Sequence, residues 1–319
     1  MIGGAAPRHF DVFNGDADGL CALQQLRLAE PKASVPITGV KRDIALLGRV
    51  PARAGDSVTV LDLALGSNQE ALLRLLGQGV CVEYFDHHHA PGLPAHRLLR
   101  LNIDPAPGVC TSLLINRHVA GRFRAWAVVG AFGDNQGATA EMLAASIGLD
   151  EGTVRLLEAL GESLNYNAYG DSEADLTIPP ASLHRLMMHY PDPLDFMEKE
   201  EAYVTLARRR SSDMALAMDM VPLLETERLV VAMLPDAAWA RRVIGSYANH
   251  LAIRHPGRIC VVLVMNARQT LTVSLRTPEN LALGADLLAR RYGGDGRATA
   301  AGINDLPQAQ IAAFLRDLQ

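Results

Sequence analysis

Several carboxylates and imidazoles of this chain stand where divalent-metal chemistry would need them. Asp16 and Asp18 lie in Phe13-Asn14-Gly15-Asp16-Ala17-Asp18-Gly19, and Asp62 ends the apolar run Val58-Thr59-Val60-Leu61. Asp86-His87-His88-His89 follows Tyr84-Phe85, and Asp134 sits in Gly133-Asp134-Asn135-Gln136-Gly137. Carboxylate oxygens suit Mg²⁺ and Mn²⁺, while imidazole shifts the preference toward Mn²⁺ and other transition metals. This set is more acidic than most mononuclear zinc sites. Two cations about 3.5–4 Å apart would neutralise it, clamp a phosphoryl group and generate hydroxide between them. The reaction class implied is hydrolysis of a phosphate ester or anhydride.

Each cluster also has a plain structural reading. Asp-x-Asp in a glycine-rich loop makes turns and helix caps. Asp62 could cap a following helix, Asp134 the helix beginning near 138, and the histidines could form a solvated loop. The elements between them decide the matter. Strands are expected at 9–13, 35–40, 57–61 and 80–85, with helices at 20–29 and 68–76. That alternation predicts an α/β fold with a doubly wound parallel sheet, in which ligands collect at the carboxyl ends of the strands. Asp16, Asp62 and Asp86 all fall just past strand ends, so the clusters should share one sheet edge.

Residues 109–220 read as largely helical, over 109–120, 125–132, 141–147 and 154–160, and then as one long helix over 195–220. A second α/β pattern follows: strand 229–234, helix 238–254, strands 259–265 and 270–275 joined by the hairpin turn Asn266-Ala267-Arg268-Gln269, and helix 281–291. The expected layout is bilobed: a metal-bearing domain over 1–194, a linker helix over 195–222 and a smaller α/β substrate-binding domain over 223–319.

The chain has 319 residues, 49% of them apolar, and a net charge of −5. Such a charge argues against tight binding to long duplex DNA. Cys21, Cys81, Cys110 and Cys260 form no Cys-x-x-Cys pair and read as small buried hydrophobes in a reducing, cytoplasmic setting. The sequence shows neither a signal peptide nor a membrane span, and leaves a homodimer open. Glu162 to Gly170, rich in Asn and Tyr, reads as a polar turn or as a loop walling the site with a Tyr for a base to stack on. Arg208-Arg209-Arg210 reads as a solvated helix face. Arg241-Arg242, at a helix start where they oppose the dipole, suggest an anionic partner.

In their order along the chain, these motifs resemble the DHH-family phosphoesterases, oligoribonucleases and nucleotide phosphoesterases among them. Asp86-His87-His88 matches the family's name motif, Asp16-Ala17-Asp18-Gly19 its first, Leu61-Asp62 its second and Gly133-Asp134 its fourth. Ser274-Leu275-Arg276 and the run from Gly293 to Gly302 resemble the DHH-associated domain. The resemblance implies two Mn²⁺ ions, with Mg²⁺ or Co²⁺ as substitutes. Asp16 would bind one ion, Asp18, His87 and Asp134 the other, and Asp62 would bridge them. His88 would face the substrate phosphate and Asp86 would orient a neighbouring His. Arg276, Arg297 and the backbone of Gly293, Gly294 and Gly296 would hold a distal phosphate or nucleoside.

Two departures stand out. Many members place a metal-binding His where this chain has Val12. Some nuclease members lack that His too, but carry Asp where this chain has the uncharged Asn14. The first metal is therefore expected to be held less well than the other. Arg297 stands where many members acting on small oligonucleotides have His. The expected activity is phosphodiester hydrolysis in short oligonucleotides or small, including cyclic, nucleotides. A phosphomonoesterase acting on a nucleoside bisphosphate, and a catalytically weak nucleotide sensor, are the alternatives.

Overall fold

The computed structural model describes residues 6–90, 92, 95–279 and 283–318. The chain forms two compact units, Met1–Ala168 with Thr177–Ala207, and Tyr169–Leu176 with Arg208–Gln319.

The first unit opens with β1 (His9–Phe13), α1 (Ala17–Ala29), β2 (Val35–Ile37), β3 (Ser57–Leu61), α2 (Leu65–Gly77), β4 (Cys81–Asp86) and β5 (Leu99–Ile103). The strands lie in the order β2-β1-β3-β4-β5, every neighbouring pair parallel. Such a sheet buries both faces, and side chains alternate between them. Phe10, Val12, Val58, Val60, Val82 and Tyr84 share one core with Leu72, Leu75 and Leu76 of α2. Phe13, Leu61 and Phe85 share the other with Leu20, Leu23 and Leu26 of α1. Register fixes the sheet edge: Phe13 pairs with Leu61, and Leu61 with Phe85. The residues that follow these three emerge side by side, as expected. Strand β5 had no counterpart in the sequence reading.

Helices follow: α3 (Thr111–His118), α4 (Arg124–Gly133), α5 (Gly137–Ser146), α6 (Glu151–Tyr166), α7 (Pro180–Met187), α8 (Pro193–Lys199) and α9 (Glu201–Met218). The single helix expected over 195–220 is thus two. Glu200 between them is extended, with φ −105 and ψ 118. On an unbroken helix Phe196 and Ala202 would point about 120° apart, yet both are buried in one core with Leu206. The break turns both toward it.

The second unit contains β6 (Leu224–Glu225), β7 (Leu229–Leu234), α10 (Ala238–Arg254), β8 (Ile259–Met265), β9 (Leu271–Arg276), α11 (Ala285–Arg290), β10 (Asp295–Arg297), β11 (Ala300–Leu306) and α12 (Ile311–Asp317). Its mixed sheet runs β10-β11-β9-β8-β7-β6, with β8 and β9 antiparallel across the expected hairpin. Val231, Leu263, Val273 and Leu275 pack on Leu288 of α11 and Phe314 of α12. Of the helix expected over 281–291, residues 281 and 282 lie outside the described residues. Cys21, Cys110 and Cys260 are buried, but Cys81 is exposed, contrary to expectation, because it opens β4 at the sheet's outer end. No helix among the described residues is long and apolar enough to cross a membrane.

Candidate metal centre

Three strand ends and one helix end build the centre in the first unit. After β1 the chain turns into α1, whose N-cap is Asp16: its Oδ1 accepts from Gly19 N at 3.1 Å. Asp18 follows in the first turn. Asp62, just past β3, has φ 58, a left-handed conformation that costs most residues energy but that Asp tolerates. It caps nothing, since α2 begins at Leu65 without a side-chain cap. Asp134 closes α4, and α5 after it is likewise uncapped by any side chain. The helix-cap readings of Asp62 and Asp134 therefore fall away, while that of Asp16 holds.

His87 Nε2 stands among three carboxylates, 3.4 Å from Asp62 Oδ1, 3.9 Å from Asp18 Oδ2 and 3.9 Å from Asp134 Oδ2. Ligand atoms of Asp18, His87 and Asp134 lie within 4.8 Å of one another, as do those of Asp62, His87 and His88. Among the described residues Asp16 belongs to neither trio. Its Oδ2 instead accepts a hydrogen bond from Lys41 Nζ, which also donates to Asn165 Oδ1 at 3.1 Å.

The electrostatics follow this division. Burial, then the charge of Asp134, pushes Asp18 above the usual carboxylate range, against the pull of His87. Burial and the charges of Asp16, Asp18, Asp134 and Asp86 push Asp62 well above it. For Asp16 burial acts the same way, but the charge and hydrogen bond of Lys41 outweigh it and hold the carboxyl below its ordinary value. Asp18 and Asp62 are therefore buried carboxylates that repel one another and gain from a cation. A divalent ion fits this hard, oxygen-rich donor set with one imidazole.

His88 Nδ1 meets Asp86 Oδ1 at 2.6 Å. Burial opposes protonation of His88, but this bond and the charges of Asp86, Asp134 and Asp18 outweigh it and raise its pKa. His89 is exposed and takes part in neither trio.

Sequence reasoning missed Lys41, Thr111 and Ser112, whereas Asn165 falls in the Asn- and Tyr-rich run read as a turn or a wall of the site, and lies on α6. Thr111 and Ser112 open α3 and donate their backbone N–H groups to Asp18 Oδ2 and Oδ1, each at 2.7 Å, while Thr111 Oγ1 donates to Asp62 Oδ1 at 3.3 Å. A helix N-terminus thereby fixes Asp18. The polar run Cys110-Thr111-Ser112 before an apolar helix was the signal available.

The other expected residues lie in the second unit. Arg276 Nε donates to Asn249 Oδ1 at 2.6 Å, its Nη1 to Ser274 Oγ at 3.1 Å and Leu275 O at 2.9 Å, and its Nη2 to Gly245 O at 3.4 Å. These acceptors are all neutral, and burial lowers the Arg276 pKa. Gly293 has φ 76, its N–H donates to Arg290 O at 3.2 Å, and Gly294 N–H donates to Ala289 O at 2.9 Å. This is a Schellman end to α11. The glycine run therefore stops a helix, and the N–H groups of Gly293 and Gly294, expected to meet a phosphate, are used within the fold. Gly296 and Arg297 follow on β10, where Arg297 is exposed. The anionic partners of Arg241 and Arg242 are the protein's own. Arg241 grips Asp175 through Nε at 2.9 Å and Nη2 at 3.0 Å, and Arg242 pairs with Asp213 at 2.7 Å.

No protein-family model matches the chain, and no curated protein matches it in sequence. Solved structures do match in fold. Manganese-bound exonuclease RecJ aligns over 98% of this chain and 89% of its own, with TM-score 0.64 and 18% identity. The DHH domain of a ribosomal-protein family member aligns over 98% and 85%, with TM-score 0.64 and 12% identity. A pGpG-specific phosphodiesterase from Vibrio cholerae aligns over 98% and 97%, with TM-score 0.55 and 15% identity. The chain has the fold of the DHH proteins, the family its motifs resemble.

Proposed function

We propose that this chain is a DHH-family phosphoesterase, dependent on a divalent cation and hydrolysing phosphodiester bonds of short oligonucleotides or small nucleotides. The observation that carries the reading is the convergence of Asp18, Asp62, His87 and Asp134 from separate elements, with His87 common to both trios. On this reading those residues hold the cation. When bound, such an ion polarises phosphoryl oxygen and lowers the pKa of water.

The chain's own residues supply the rest. Asp86 fixes the His88 ring and favours its protonated form, whose Nε2–H could then meet a phosphate oxygen or a departing alkoxide. Thr111 and Ser112 hold Asp18 in place. Arg276, Arg297 and Gly296 contribute substrate contacts. Arg276 in particular is a half-buried cation whose hydrogen-bond acceptors are neutral oxygens, so an anionic group gains by reaching it. A RecJ structure holding manganese supports Mn²⁺ as the ion, and a pGpG-specific enzyme that this chain matches almost end to end supports a dinucleotide-sized substrate. The net charge of −5 supports small substrates over long nucleic acid.

The test is turnover by purified protein with Mn²⁺ on a panel of linear and cyclic dinucleotides, short oligonucleotides and a nucleoside bisphosphate. Hydrolysis of a diester is expected. Release of phosphate from the bisphosphate alone would make it a phosphomonoesterase. No turnover of any member with metal bound would end the enzyme reading and leave a nucleotide sensor.

A further inference from the structure

The ammonium group of Lys41 sits on Asp16, the carboxylate from which the first of two metal ions would be expected to hang. Three further contacts hold Lys41 there. Its N–H donates to Ala168 O at 2.8 Å, its Nζ donates to Asn165 Oδ1 at 3.1 Å, and its carbonyl accepts from Asn14 Nδ2 at 3.4 Å. The backbone of its loop presses on the acidic motif: a Cβ on Gly15 would lie 2.1 Å from Gly39 O. Asp16 is 4% exposed and Lys41 29%, so this pair is no solvated surface contact.

The departure at the first metal site, Val12 with Asn14, bears on the same place. Asn14 donates to the Lys41 carbonyl, which an aspartate could not do. Val12, in place of a histidine ligand, is fully buried in the apolar core with Val60 and Leu63. A dication placed on Asp16 would face the Lys41 ammonium at close range in a buried setting, where like charges repel strongly.

We propose that Lys41 is a built-in cation standing in for one of the two metal ions. The chain then binds one divalent ion, at Asp18, Asp62, His87 and Asp134, and Asp16 is the counter-ion of Lys41 rather than a ligand. This rests on the metal-centre reading above, but its test does not depend on turnover.

The test is to titrate chelator-stripped full-length protein with Mn²⁺ alone, counting bound ions by equilibrium dialysis and recording the electron paramagnetic resonance spectrum. The expected result is one Mn²⁺ per chain with an uncoupled spectrum. Asp16→Asn should leave the count at one, and Asp18→Asn should abolish binding. Lys41→Met should raise the count to two with an exchange-coupled spectrum, whereas Lys41→Arg should keep it at one. Two ions in the wild type, or loss of an ion in Asp16→Asn, would overturn the proposal. So would Lys41→Met remaining at one while folded, because the weak ligand set and not Lys41 would then exclude the second ion. Should Lys41→Met fail to fold, the wild-type count and spectrum still decide. No bound Mn²⁺ in the wild type would overturn the metal-centre reading itself, a failure distinct from the others.

Discussion

Asp86 Oδ1 and His88 Nδ1 lie 2.6 Å apart, two residues distant in sequence on the turn that leaves β4. The carboxylate is fully buried, whereas the ring is 44% exposed. Asp86 thus acts through His88, raising its pKa and fixing which nitrogen faces outward. Replacing Asp86 with Asn keeps the shape and removes the charge. His88 should then lose its proton at lower pH. If protonated His88 serves catalysis, the alkaline fall of the kcat/KM profile should begin at lower pH in Asp86→Asn, and kcat should drop about 10²-fold. An unmoved profile would show that His88 does not act as an acid.

Asp62 is both the most strained and the most repelled carboxylate of the centre. Its raised pKa means that the folded, metal-free protein binds the Asp62 proton more tightly than the unfolded chain does. Stability from this group is therefore present at low pH and lost as pH rises through its folded pKa. Asp62→Asn removes that loss and keeps a residue that tolerates φ 58, which Ala would not do without about 1–2 kcal/mol of strain. The variant should melt higher than wild type at pH 7 without metal, gain nothing from Mn²⁺, and lack activity. Wild type should gain stability from Mn²⁺ as the logarithm of its concentration over Kd. Calorimetry with and without metal checks all of this, and a variant still stabilised by Mn²⁺ would remove Asp62 from the site.

The strand-end carboxylates were legible because a parallel sheet with registered strands forces Phe13, Leu61 and Phe85 to one edge, whatever the loops do. Lys41 was not legible. It lies on an irregular stretch between β2 and β3, and its meeting with Asp16 and Asn165 depends on the path of that stretch. The glycine run misled for a different reason: a helix stop and a phosphate loop both call for glycine, and only the hydrogen bonds of Gly293 and Gly294 separate them. The break at Glu200 needed knowledge of where the core lies, since no Gly or Pro between 195 and 220 marks it.

Asn249 matters through Arg276, its hydrogen-bond partner at 2.6 Å. Hydrogen bonds to a charged group contribute about 1.5–3 kcal/mol, so Asn249→Ala should let the guanidinium wander and raise KM about tenfold with little change in kcat. Asn249→Gln should restore part of the loss. On the substrate-contact role proposed for exposed Arg297, Arg297→Ala should also raise KM with little change in kcat. Steady-state kinetics separate the parameters, and a fall in kcat at unchanged KM would contradict both assignments.

His184, which belongs to neither trio of the centre, gives an acid-stability test. Its ring lies 5.8 Å from that of Phe13, and its Nε2 has no hydrogen-bond partner among the described residues. Burial, reinforced by Arg27 and opposed by Asp11, lowers its pKa from 6.5 to about 4. Between those values the unfolded chain binds a proton that the folded chain refuses, so stability is lost as pH falls from 6.5 toward 4. At about 1.4 kcal/mol per pKa unit the loss is at most about 3 kcal/mol. His184→Leu should abolish this component. The difference in unfolding free energy between wild type and variant, from urea titrations at pH 7 and pH 4.5, should therefore move against the wild type on acidification. A difference that stays constant across that range would mean that His184 is protonated as readily in the fold as outside it.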